Sequence, residues 1–203
     1  DLLPSNAFFN FCEDLLERYK DDIRILSITG TNLNSNLRLN KNDSYFFSKY
    51  ATIWGFATWK RVWENYDFEM KKWKLFETQK LIFDDVPIKE SKYAFNSYKN
   101  FYNKKNFHTW DMQLGFYSWS NRCLGVVPSR NLVSNIGHIG VHSKEKYWYH
   151  SLPIDEAFII SKHPDFIVAN TKFDRWYFKN FRNESVITKT LSYAKKIKNK
   201  LRI

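Results

Sequence analysis

Apolar positions near the start of the chain fall at helical intervals: Phe8, Phe9, Cys12, Leu15, Leu16 and Tyr19 form an i, i+1, i+4, i+7, i+8, i+11 series, with Ser5 or Asn6 placed to cap it. The period then changes. "DIRILSITG" is a continuous apolar run closed by Gly30, which predicts a short buried strand; "TNLNSNLRLNKND" reads as a polar Asn-rich loop and "SYFFSKY" as a second strand. "IWGFATWKRVWENY" predicts a turn at Gly55 and a helix from about Ala57, with Trp59, Val62, Trp63 and Tyr66 on one side. "IKESKYAFNSYKNFYNK" and "TWDMQLGFYSWSN" predict two further helices. "CLGVVPSRNLVSNIGHIGVHS" predicts a strand, a turn at Pro128, a second short apolar segment and a Gly-containing loop. Helices and strands are mixed with no internal repeat, which places the chain in the α/β class. Beyond about residue 143 the chain turns aromatic and charged, without clear periodicity until "DRWYFKNF", and reads as an extension packed on the main body.

Composition sharpens this picture in two ways. With 203 residues, 43% of them hydrophobic, the chain can bury a core as one domain or most of one. Aromatic residues make up 19%, so rings serve as core filler and are also numerous enough to build stacking platforms for sugars or bases. Cys12 and Cys123 lack metal-type spacing and read as buried thiols of a reducing compartment. The net charge of +11 favours anionic partners: nucleic acid, phospholipid headgroups or phosphate-bearing small molecules. In "SYAKKIKNKLRI", Leu191, Ala194, Ile197 and Leu201 share a helical face among Lys195, Lys196, Lys198 and Lys200, a pattern that suits an anionic membrane surface or a solvated terminal helix. No run approaches the roughly 20 apolar residues that span a bilayer.

Several chemistries lack their motifs. There is no Gly-rich phosphate loop, GxSxG, HExxH or CxxC in the chain. Among the histidines, His138 and His142 are four apart, but Gly137 and Gly140 place them in a loop, one that could close over a metal or phosphate. Asp84 and Asp85 precede Val86 and Pro87 and read as a turn and helix-entry device. Asp111 follows Trp110 at the start of an otherwise apolar helix. Two readings stay open for it: a carboxylate positioned by apolar walls for proton transfer, or a first-turn residue that complements the helix dipole.

Four separated blocks, "DLLPSNAFFNFCEDLLERYKDDIRILSITG", "SYFFSKYATIWGFATWKRVWENYD", "TWDMQLGFYSW" and "VPSRNLVSNIGHIGVHS", resemble in order and spacing the C-terminal half of a GT-A-type nucleotide-diphospho-sugar transferase. The resemblance is closest to bacterial transferases of surface-polysaccharide loci, some described as haemolysin-like, and more distant to the N-glycan N-acetylglucosaminyltransferases. It implies a GT-A-like mixed sheet flanked by helices. Residues 1–143 would form the acceptor and catalytic half, and 144–203 an extension with a basic amphipathic helix. It also implies that the Rossmann-like nucleotide-binding half lies upstream of Asp1, which would be the last Asp of an acidic metal-binding motif.

Residue by residue, the resemblance assigns Asp111 as catalytic base with Trp110 beside it lining the donor-sugar pocket. Trp54, Gly55 and Phe56 would pack under the donor sugar and border the acceptor groove; Phe56 stands where the family often has Trp. Asn135 and Gly137 would belong to a loop that closes over the donor, with His142 meeting metal or phosphate. The implied cofactor is a divalent metal, Mn2+ or Mg2+, and the implied partners are a nucleotide-diphospho-sugar donor and a glycan or lipid-linked acceptor, with no nucleic acid. Lipopolysaccharide or capsule synthesis at the inner face of a cytoplasmic membrane is the implied setting. Two other classes remain open on the residues themselves: a basic, aromatic nucleic-acid-binding module, and a carbohydrate-binding remnant without catalysis.

Overall fold

A computed structural model describes residues 1–37, 42–80, 87–104, 109–137 and 147–182. The architecture is mixed α/β, with a mixed sheet flanked by helices. After a short strand β1 (Leu2–Pro4), helix α1 (Asn6–Arg18) starts at Ser5, whose hydroxyl accepts from the Phe8 amide at 3.1 Å. Its buried face is Phe8, Phe11, Cys12 and Leu15, whereas Phe9 is 57% exposed. That corrects the face read from sequence. Successive helical residues are rotated by about 100°, so Phe11 at i+3 from Phe8 faces inward and Phe9 turns out.

Strands β2 (Ile25–Thr29) and β5 (Leu124–Pro128) lie side by side and parallel at the centre of a four-stranded sheet. β3 (Tyr45–Ser48) is antiparallel to β5 at one edge, and β4 (Phe56–Ala57) is antiparallel to β2 at the other. Their near-continuous apolar composition follows from this position, because helices or loops cover both faces. On one face α1 packs Phe11, Leu15 and Tyr19 onto Ile25, Ile28, Phe47 and Val126. On the other, Leu26 meets Val62, Leu114 and Cys123.

The predicted helix from Ala57 begins later. Gly55 adopts φ +66°, turning the chain so that Phe56 and Ala57 pair with Thr29 and Ile28, and helix α2 runs only over Lys60–Glu64. Arg61 on α2 then closes the C-terminal end of α1. Its guanidinium donates to the carbonyls of Lys20 (2.9 Å), Tyr19 (3.2 Å), Asp22 (2.9 Å) and Ile25 (2.9 Å), while it lies 4.4 Å above the Trp59 ring.

Helix α3 (Trp73–Gln79) was not anticipated. Its Trp73 is fully buried against Phe95 and Tyr98 of α4 (Ile88–Lys104) and Phe116 of α5 (Asp111–Ser120), forming a second, aromatic core. Strand β6 (Val133–Asn135) pairs antiparallel with β1, a partnership that "DLLP" alone did not announce.

The segment after residue 147 packs on this body. Ala169 bridges Phe47 alongside β3, the Asn170 amide donates to the Phe47 carbonyl at 2.7 Å, and the Asn170 side chain caps α6 (Thr171–Tyr177). A single π-helical stretch, Phe178–Arg182, follows. Phe173 and Tyr177 are buried beside Phe46, Tyr50 and Val127. Cys12 and Cys123 are free and buried; burial pushes the Cys12 thiol up to about 12 and the Cys123 thiol up as well, so both are packing residues. Among the described residues no helix is long and apolar enough to cross a membrane. Asp84, Asp85, His108, His138, His142 and the basic helix predicted near 190–203 lie outside the described residues.

Candidate active site

Where β3 ends, the chain from Lys49 to Phe56 crosses the sheet and opens a cavity of about 280 Å³. Ser27 of β2 and Gly125 of β5 supply its floor, and Gly125 is required there because a Cβ would run into Ala51. α5 contributes Asp111, Leu114 and Ser118 to one wall; Trp54 and Phe56 belong to the crossing segment; Tyr177, Phe181 and Arg182 close the remaining side. Three of the site residues singled out in the sequence, Trp54, Phe56 and Asp111, thus line one cavity.

Asp111 is half-buried at the first position of α5. The Thr109 hydroxyl donates to its carboxylate, which holds the side chain in one orientation. The Tyr66 hydroxyl donates to the Trp110 carbonyl at 3.2 Å, and it is pushed up chiefly by burial and then by the Asp111 charge. Asp111 therefore lines the cavity while its charge is felt by Tyr66. Trp110 does not line the cavity. Its ring packs 5.2 Å from Phe56 and 5.7 Å from Trp63 and is 38% exposed.

A second set of predicted residues meets at the β1–β6 pair. Leu2 is opposite Asn135, the Ile136 amide donates to the Asp1 carbonyl at 2.8 Å, and the Asn135 side chain accepts from the Gly137 amide at 3.0 Å. A Cβ at position 137 would strike the Asp1 side chain, so glycine lets the carboxylate lie against the backbone. This set does not line the cavity, but two bridges join them. Gly55 leaves room for Val133 of β6 at the foot of the Trp54 segment. The Ser151 amide donates to the Asn135 carbonyl at 2.8 Å while Tyr149, two residues earlier, lies 5.5 Å from Trp54. Toward a divalent cation this end offers the Asp1 carboxylate and an Asn oxygen already engaged by an amide. Among the described residues no three His, Cys, Asp or Glu side chains gather, so these residues fit a metal only in part.

Two buried carboxylates behind the cavity wall escaped the sequence reading. Asp174 of α6, 5% exposed, accepts from the Ser48 hydroxyl at 2.6 Å and from the Lys49 amide; burial pushes its carboxyl up to about 6. Glu90 of α4, 7% exposed, accepts from the Tyr50 hydroxyl at 3.0 Å and is likewise raised by burial. Lys49, on the cavity wall, attracts both. Their signal was present: Glu90 falls in line with Ala94 and Tyr98 at i, i+4, i+8, and Asp174 stands between Phe173 and Tyr177 on an inward face. A carboxylate on an apolar stripe marks a buried, partnered acid.

The chain matches no protein-family model, no curated protein and no solved structure.

Proposed function

We propose that the protein is a glycosyltransferase that moves a sugar from a nucleotide-diphosphate donor to a glycan or lipid-linked acceptor, with Asp111 as general base. The observation that carries this reading is the convergence of Asp111, Trp54 and Phe56, drawn from distant parts of the chain, on one aromatic-walled cavity. Rings suit the apolar faces of sugars, and a carboxylate in the wall suits the acceptor hydroxyl. In the step, the acceptor oxygen bonds to the anomeric carbon as its proton passes to the Asp111 carboxylate. The bond from that carbon to the diphosphate oxygen breaks, and the electron pair leaves on the diphosphate. Inversion at the anomeric carbon belongs to this proposal.

Thr109 orients the Asp111 carboxylate through its hydrogen bond, and Phe56 and Leu114 line the same cavity. A divalent metal, Mn2+ or Mg2+, would be held by Asp1 with ligands outside the described residues, His142 among the candidates; when bound it would neutralise the leaving diphosphate. The synthesis of surface polysaccharide at a membrane's inner face remains part of the same proposal, supported by the +11 charge.

The test is release of nucleoside diphosphate by the full-length gene product from a panel of nucleotide-diphospho-sugars, with and without Mn2+ and with a chelator. Acceptor-dependent release supports the reading, and loss of it in chelator supports the metal. No release from any donor with any glycan or polyprenyl-phosphate acceptor would contradict it.

A further inference from the structure

At the edge of the cavity, four rings from three parts of the chain meet, with Phe56 and Tyr66 half-buried and Trp63 and Trp110 facing outward. Phe56 of β4 lies 5.2 Å from Trp110 and 6.4 Å from Trp63; Trp63 lies 5.7 Å from Trp110 and 5.3 Å from Tyr66. The cluster is not core. Trp63 remains 43% exposed and Trp110 38%, although large rings gain most when fully buried. It is also continuous with the cavity, because Phe56 belongs to both and the Asp111 charge reaches the Tyr66 hydroxyl.

We propose that these rings form a platform for an oligosaccharide acceptor of at least two sugar units, laid outside the cavity so that a hydroxyl of its end unit meets Asp111. The catalytic consequence rests on the transferase reading above; the binding claim does not. Sugar rings present a C–H face that packs on an aromatic plane and a hydroxyl edge that needs polar partners. Here the rings supply the first, while the Asp111 carboxylate and the half-buried Thr109 supply the second at the cavity end. A lipid surface is the less suitable occupant. Of the charges on α2, Lys60 and Glu64 pair at 3.4 Å and the Arg61 guanidinium is turned onto the carbonyls at the end of α1, so the helix presents little net attraction to anionic headgroups beside Trp63. Trp63 is the new assignment: helix-face reasoning treated it as one more ring on the side of a longer helix.

The experiment is calorimetric titration of the full-length gene product with glucose and N-acetylglucosamine and with cellotetraose, chitotetraose and maltotetraose. At least one tetrasaccharide should bind on the order of 10-fold more tightly than its monosaccharide. Trp63→Ala should remove that increment, and Trp63→Tyr should retain most of it. Melting curves of both variants check folding. Equal affinity for monomer and tetramer, no binding of any tetrasaccharide, or an increment that survives Trp63→Ala would each overturn the platform. So would Trp63-dependent binding to phosphatidylglycerol vesicles with oligosaccharide binding unchanged. The two readings separate cleanly: Asp111-dependent transfer without a Trp63-dependent increment sinks the platform alone, and the increment without any transfer sinks the enzyme reading alone.

Discussion

Asp174 shows how much one side chain's surroundings decide. Its carboxyl is raised from 3.8 to about 6 chiefly by burial, against the opposing hydrogen bond from Ser48. The folded state therefore binds a proton more tightly than the unfolded chain between those values. The stability this group contributes is full below about pH 4 and is lost as pH rises through about 6, a change of roughly 3 kcal/mol. Asp174→Asn, which keeps the shape and one acceptor, should abolish this component. Denaturant midpoints of wild type and variant, compared from about pH 4 to about pH 7.5, should show the variant gaining relative stability as pH rises. A constant difference would contradict the assignment. Apolar neighbours mark Asp111 as a candidate with two roles open, whereas Trp54 enters only through the family resemblance. Asp174 and Glu90 were harder, because what defines them is partners on β3 and the segment beyond it, far away in the chain.

Single elements are held by a few contacts that local pattern does not disclose. Gly55 combines a left-handed backbone with close contact to Val133 and Gly30. Gly55→Ala should destabilise by about 3 kcal/mol or more and displace Trp54 and Phe56 from the cavity wall, seen as a lowered melting temperature and altered tryptophan emission. Arg61→Met should cost about 2 to 3 kcal/mol in a denaturant titration, since four carbonyls around the end of α1 lose their donor. Helix α1 and the strands β2, β3 and β5 were legible because their periods of 3.6 and continuous apolar runs are local properties. β4 and β6 are three residues or fewer and exist through their partners, so the pattern places a helix start at about Ala57 and reads Val133–Asn135 only as an apolar segment. Asp1 against Gly137 is likewise a product of β1–β6 pairing, which no local pattern discloses.

For the whole molecule, two long-range facts matter: a net charge of +11 and an aromatic interior shared among distant segments. Self-repulsion predicts that the melting temperature rises as salt is increased from about 0.01 M to about 0.15 M, where the screening length falls from about 30 to about 8 Å. A flat or falling melting temperature would show that paired charges dominate. The central claim is that the junction of cavity and ring platform is a site of sugar transfer with Asp111 as base. The most direct test is the turnover of Asp111→Asn in the full-length gene product, measured with donor affinity and melting temperature on the same preparation. The account predicts a turnover lower by about 100-fold to 10,000-fold, with donor affinity and folding close to wild type. A turnover near wild type, with at most about 1 kcal/mol of stability lost, would contradict it and leave Asp111 as a carboxylate that serves the helix dipole.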